Sequence, residues 1–530
     1  MFLLKNAKIY TQHKPHPTTE AILIHQGKIL AIGQTDDLLN FNPSPTEIIN
    51  LEGKTILPGL CDSHLHLAYL GKYLNAVNCE TPTKAACLQN IRERVQKTPR
   101  GEWIYGHGWN QNEWTEGFGN IQELDAISTE HPIYLTAKSL HAGWANSKAF
   151  ELAGIYSNTP NPLGGKYERD ENGQLTGILY ETAIFELEKA IPQPNHLQMA
   201  ELLDLVQQHL WSYGITAVHD FDRIQCFKGL QTLEAQGKLN LRVLKSIPAE
   251  SLDHFLNAGI ISEFGSEFIK IGPVKLFSDG ALGPQTAAML TPYENQPNNY
   301  GNLLLTAEEV FDFGKRASSN QLALAVHAIG DQANRIVLDG LEKLRHYEKQ
   351  NQLIPSKHRI EHVQCIHPQD LQRLAKLNIF ASVQPIHLIS DMEMADFHWG
   401  KRSAWTYAFK DLQNSGATLI FGSDAPVESA NPYIGMFSAL QRTKQNGKPE
   451  LGWHSKQKLD LETILNAYTT NPAFAAGWSE SIGSLKPGAN ADLIVLNEDP
   501  FHFPPNRFYN LKPIRTMVGG KWVWQSEVFE

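Results

Sequence analysis

Apolar and polar positions follow two different rhythms along this chain. From residue 1 to 58, and again from 483 to 530, short alternating runs are broken by glycine and proline turns: LLKNAKIYT, AILIHQGKILAIG and TEIINLEGKTILPG at the start, SLKPGANADLIVLNEDP and TMVGGKWVWQ at the end. Alternation over a few residues between such turns predicts half-buried strands. Two β fragments at opposite ends of a chain can pair where the termini lie close together, so one composite β-sandwich domain is expected from both.

Residues 59–482 instead alternate longer apolar runs with amphipathic helical stretches, the signature of βα units. The first run, TILPGLCDSHLHL over 55–67, ends in His64 and His66. Six later runs are GITAVHDF (214–221), GPVKLFSDG (272–280), LALAVHAIGD (322–331), HRIEHVQ (358–364), IFASVQP (379–385) and TLIFGSDAP (418–426). Their spacing suits one helix and its loops per gap. An eighth strand, second in order, is expected either at NAVNC near Cys79 or at PIYLTAK near Tyr134. Eight parallel strands predict a TIM (β/α)8 barrel; the doubly wound open sheet is the alternative, and no glycine fingerprint favours it. Residues 80–180 exceed the needs of one βα unit. Their aromatic run (Trp103, Tyr105, Trp109, Trp114) and the polar turns of GGKYERDENGQLTG predict an insertion over the barrel mouth, a face where insertions commonly form the substrate wall.

Composition narrows the partners more than the fold. The 530 residues carry a formal charge of -10, and the charges are dispersed, which argues against a nucleic-acid surface. MFLLKNAKIYTQHK lacks a signal-peptide apolar core, and no stretch reaches the roughly 18 uncharged apolar residues of a membrane helix. A cytoplasmic protein without a membrane partner is expected. Cys61, Cys79, Cys87, Cys226 and Cys365 are scattered and lack CxxC spacing, so neither a disulfide framework nor a thiolate zinc site is indicated; they are expected to be reduced and mostly buried.

The strand ends hold the chemistry. His64 and His66, at i and i+2, point to the same side of one strand. Lys275, His327, His362 and Asp424 also sit where apolar runs stop and turns begin, the catalytic end of a barrel. Neutral imidazoles and a carboxylate bind zinc at neutral pH, and a second metal would need a bridging anion. A buried Lys275 crowded by cations would have a lowered pKa, and its neutral amine can add carbon dioxide to form a carbamate bridge. The alternative is a Lys275 ammonium paired with Asp279.

This set of residues, with His64-Leu65-His66 following ILPG, resembles the amidohydrolase superfamily, and specifically its YtcJ-like branch, amidohydrolase family 3, which includes N-substituted formamide deformylases. HAGWANSKAF, GITAVHD, VKLFSDGALGPQTA, VHAIGD, RIEHVQ, ASVQP, FGSDAPV, TTNPA and LKPGANADLIVL carry the resemblance over nearly the whole chain. It implies a TIM barrel with one or two divalent metals, usually zinc, beside a composite β-sandwich, and hydrolysis of a non-peptide C–N bond. By position, His64, His66 and Asp424 would hold the more buried metal, and Lys275, as carbamate, would bridge to a second one on His327 and His362. Ala281 departs from the family, where serine is common after the DG pair.

The mechanism implied is attack by a metal-activated water. Asp424 would move the proton, and one metal, or His327 if only one metal is present, would polarise the carbonyl. His219 and Asp220, ending the third strand, are candidate partners of the ligands, with a hydrogen-bonded structural pair as the alternative. Asp279 is a candidate to orient Lys275. His141, Glu181, Gln384 and Arg402 are candidates to face the substrate. Trp109 and Trp114 would wall an apolar pocket, or simply pack. The expected function is hydrolysis of a small N-acyl, N-formyl or cyclic amide, by a protein that can self-associate. A binding or regulatory protein, and a metal-assisted isomerase or decarboxylase, are the alternatives.

Overall fold

The structure is a computed structural model that describes residues 1–14, 17–41, 45–139 and 141–527. The chain forms two compact units: Met1–Leu70 together with His196–Glu530, and Gly71–Asn195.

The first unit is built on a TIM barrel. Its strands are Leu60–Leu65, Ile215–Asp220, Arg242–Pro248, Ile269–Phe277, Leu324–Ala328, Arg359–His362, Phe380–Val383 and Leu419–Phe421, hydrogen-bonded neighbours in that order. Each neighbouring pair runs parallel. Covered on both faces, such strands read as near-continuous apolar runs, as in Leu324–Ala328 with four of its five residues buried. The barrel closes between its last and first strands. Asp424 donates its N–H to the His64 carbonyl at 2.7 Å, and His66 donates to that of Ala425 at 2.9 Å. Gly422 permits the approach: a Cβ there would lie 2.4 Å from the His64 nitrogen.

One strand differs from the sequence expectation. The remaining strand is RVLKSIP, third in order, and Ile215–Asp220 is therefore second. Val77–Asn78 and Ile133–Ala137 both lie in a different sheet. Charges disguise the true strand. Arg242 is buried against Asp492 at 2.6 Å, and Lys245 against Asp220 at 2.9 Å. Each charge is tolerated inside because a partner distant in sequence neutralises it.

Both termini contribute to the second layer of this unit. A four-stranded sheet of Phe2–Lys5, Ala21–His25, Lys28–Gly33 and Glu47–Asn50 faces a six-stranded sheet in which Thr55–Pro58 pairs with Leu493–Leu496. Leu4, Ile22 and Ile24 share a core with Ile56, Leu493 and Met517. Arg242 fastens this layer to the barrel through Asp492, and Thr516 does so through a 2.7 Å hydrogen bond to the Trp211 carbonyl.

The unit Gly71–Asn195 is wider than the expected 80–180 and has its own six-stranded sheet and core. Trp109 and Trp114 belong to that core rather than to a pocket wall. Trp109 is fully buried, its indole donates to the Leu135 carbonyl at 3.0 Å, and its ring stacks on Trp114 at 6.3 Å. All five cysteines are buried and unbridged. Among the described residues no helix is long and apolar enough to cross a membrane.

Candidate metal centre

Closure of the barrel creates the site. The seam between the first and eighth strands sets Asp424 Oδ1 at 3.5 Å from His64 Nε2 and 3.3 Å from His66 Nε2. His362, ending the sixth strand, has its ring 5.1 Å from that of His64 and 4.5 Å from that of His327. Donor atoms of His64, His362 and Asp424 all lie within 4.8 Å of one another. Asp424 and His362 hold φ values of 61° and 73°, a left-handed conformation that costs energy in non-glycine residues and concentrates at functional sites.

These residues fit a divalent ion. A tetrahedral centre with bonds of about 2.1 Å places neighbouring ligand atoms roughly 3.4 Å apart, the separation of both histidine nitrogens from Asp424 Oδ1. Burial lowers the His64 and His327 imidazoles to about 4 and His362 well below its ordinary value, so all three are neutral at neutral pH, the form in which an imidazole can bind a metal. His66 differs. Burial works against its charged form, yet Asp222 and Asp424 push it up to about 10. That pair of carboxylates favours a cation between them, a proton or a metal ion.

Lys275 is buried on the fourth strand, its Nζ 4.6 Å from the Phe221 ring centroid and 5.0 Å from that of Phe277. Burial lowers its amine to about 8. It has no ion pair among the described residues, so the alternative pairing with Asp279 is not formed. Asp279 does not orient Lys275 either. Its carboxylate accepts the N–H groups of Ala288, Ile329 and Gly330 at 2.8–3.0 Å, pinning the loops after the fourth and fifth strands. His327 donates Nε2–H to the Gly280 carbonyl at 2.9 Å. A neutral imidazole has only one N–H, so His327 offers a lone pair at Nδ1 and no donor with which to polarise a carbonyl.

The other candidates are spread more widely. His219 Nδ1 accepts from Arg359 at 2.7 Å. Asp220 accepts the Leu67 N–H at 2.9 Å and so holds the chain just beyond His66. Gln384 is buried one residue past the seventh strand, its amide 3.4 Å from the Ser382 carbonyl. Arg402 is tied into the protein: its Nε, Nη1 and Nη2 donate to the carbonyls of Trp399, Thr291 and Pro292. His141 and Glu181 form an exposed pair at 3.0 Å within the Gly71–Asn195 unit.

Four residues escaped the sequence reading. Asp222 Oδ1 lies 3.6 Å from His66 Nδ1, and His387 Nε2 lies 3.8 Å from Asp424 Oδ2. Glu361 Oε2 lies 2.5 Å from His64 Nδ1, backed by Arg359. RIEHVQ pointed to Arg359 and Glu361 only faintly. Alternation sends neighbouring strand residues to opposite faces, but the left-handed turn at His362 lets both Glu361 and His362 reach His64.

Comparison with known proteins agrees with this geometry. The pattern of the Amidohydrolase family matches residues 47–524. The chain is 31% identical to Protein LONG AFTER FAR-RED 3 of Arabidopsis thaliana, covering 98% of this chain and 91% of that one. It is 30% identical to the putative amidohydrolase YtcJ of Bacillus subtilis (98% of each chain), and 27% identical to the N-substituted formamide deformylase of Arthrobacter pascens (98% and 97%). The crystal structure of an uncharacterized metal-dependent hydrolase from Pyrococcus furiosus superposes with a TM-score of 0.78 at 29% identity, over 94% of this chain and 99% of that one. The chain belongs to the amidohydrolase family, and hydrolase activity at a divalent-metal site is what that membership and these residues together support.

Proposed function

We propose that this protein hydrolyses a non-peptide carbon–nitrogen bond of a small molecule, an amide, formamide or cyclic amide, with zinc as the metal. The observation that carries the reading is the pair of histidine nitrogens 3.3 and 3.5 Å from one Asp424 oxygen, in a chain whose relatives include a formamide deformylase. His64, His66 and Asp424 would hold one ion. His327 through Nδ1, His362 and a carbamylated Lys275 would hold a second. When bound, such ions supply Lewis acidity and lower the pKa of water.

The chain's own groups do the rest. The neutral fraction of the Lys275 amine, enlarged by burial, would add carbon dioxide and release one proton, giving an anion able to serve as a metal ligand. Asp424 is kept ionised: burial would raise its carboxyl, but the hydrogen bond with His66, the imidazole pushed up to about 10, holds it well below the ordinary range. It therefore accepts a proton from the attacking water and delivers it to the leaving nitrogen. The test joins metal analysis of the purified protein with assay of Asp424→Asn on a panel of N-formyl and N-acyl amines. The expected result is bound divalent metal and a fall in kcat of about 10²–10⁴-fold. Metal-free protein, or a variant as active as the parent, refutes the proposal.

A further inference from the structure

We infer that Glu361 is a positioning residue for the metal centre, locking the His64 imidazole so that Nε2 faces Asp424. This rests on the metal-dependent reading above.

A carboxylate can only accept, so the 2.5 Å contact between Glu361 Oε2 and His64 Nδ1 places the proton on Nδ1 and leaves the lone pair on Nε2. His64 Nε2 is the nitrogen that lies 3.5 Å from Asp424 Oδ1. Phe221 stacks on the same imidazole at 4.3 Å with planes 25° apart, which restricts its rotation. Orientation by Glu361 and rotation by Phe221 together leave the ring one pose.

Glu361 is itself held from behind. Arg359 Nε donates to Oε1 at 2.5 Å and Nη2 to Oε2 at 3.1 Å. The same guanidinium reaches the Ser63 carbonyl and Ser382 Oγ, both at 2.6 Å, and His219 at 2.7 Å. One side chain thus ties the first, second, sixth and seventh strands beneath the ligand. Arg359, Glu361, His64 and His219 are each at most 2% exposed. A buried ion pair is seldom more stabilising than apolar packing of the same volume. Its value here is direction: metal-ligating histidines characteristically give their second nitrogen to a carboxylate, and losing that partner typically weakens metal binding about 10–100-fold.

Two variants test this. Glu361→Asp keeps the charge opposite Arg359 but withdraws it from His64, and the double variant R359M/E361M removes both buried charges, and with them the acceptor for His64, at similar volume. Zn²⁺ affinity is measured by competition with a chelator, Co²⁺ substitution reads ligand geometry in the visible spectrum, and circular dichroism monitors the fold. The expected result is folded variants with Zn²⁺ Kd raised about 10–100-fold and an altered Co²⁺ spectrum. Folded variants with the parent's Kd and spectrum overturn the inference while leaving the hydrolase reading intact. Loss of the fold in both variants also overturns it, making the pair a structural staple. A parent protein that takes up no divalent ion overturns both.

Discussion

The sixth barrel strand has a buried histidine at each end, and the two are used in opposite ways. At the amino end, both nitrogens of His358 are engaged: Nε2 donates to Glu348 at 3.0 Å, and Nδ1 accepts the Leu324 N–H at 3.0 Å. Ser318 donates to the same Glu348 oxygen at 2.7 Å, so the cluster is complete. At the carboxyl end, the His362 ring makes no hydrogen bond among the described residues, yet the residue's φ of 73° is strained and its ring crowds those of His64 and His327. A histidine whose hydrogen bonds are all satisfied strengthens a fold. One that is buried, neutral and unengaged is available to a metal.

The comparison breaks most sharply under substitution. His362→Ala is expected to lower kcat/KM by about 100-fold or more, beyond the cost of losing an outer partner of a ligand, while urea unfolding hardly moves because no hydrogen bond is lost. His358→Ala should do the reverse. It strands the Leu324 N–H in the interior and takes one donor from the buried Glu348 carboxylate, which keeps Ser318 and Arg345, a cost of about 2–4 kcal/mol, and leaves the activity of the folded protein intact. Unfolding midpoints and kcat/KM of the two variants, measured side by side, check this; a shared response would erase the distinction.

Acid sharpens the same contrast. Burial alone would raise Glu348, but His358, Arg345 and Ser318 hold it down to about 2, and burial lowers His358. Below about pH 6.5 unfolded His358 takes up a proton that the folded state refuses, and below about 4.5 unfolded Glu348 does likewise. Both groups therefore stabilise the fold at neutral pH and lose that contribution as pH falls, Glu348 over the range from about 4.5 to 2. Glu348→Gln should start less stable at pH 5 and decline less steeply than the parent between pH 5 and 3, as read from urea midpoints. Parallel slopes would count against it.

How much of this the sequence disclosed depended on the range of the interactions involved. Seven barrel strands were readable because each is a local apolar run stopping at a turn, and the six proposed ligands because they sit at those stops. Arg242–Pro248 was hidden since Arg242 and Lys245 become buried only through Asp492 and Asp220, neither of which is local. Glu361 was hidden for a similar reason: its imidazole lies 297 residues away, and strand alternation alone would turn it from the site. Trp109 and Trp114 misled in the other direction. An aromatic run resembles a pocket wall until the sheet that packs against it is known, and here that sheet makes them the core of a separate unit.

Arg402 gives the smallest and most discriminating of these effects. Sequence context offered it as a substrate contact, whereas its three nitrogens tie the carbonyls of Thr291, Pro292 and Trp399, joining the loop after the fourth strand to the end of the helix that follows the seventh. All three acceptors are neutral, and the side chain lies close enough to the surface, 8% exposed, for water to replace part of what is lost. Arg402→Gln should accordingly cost about 1–2 kcal/mol, less than His358→Ala, which strands a fully buried N–H and takes a donor from a carboxylate. KM for an active N-acyl or N-formyl amine should stay within about twofold. A KM rise of tenfold or more with unchanged stability would return Arg402 to the substrate and mean that the carbonyls it ties are readily released.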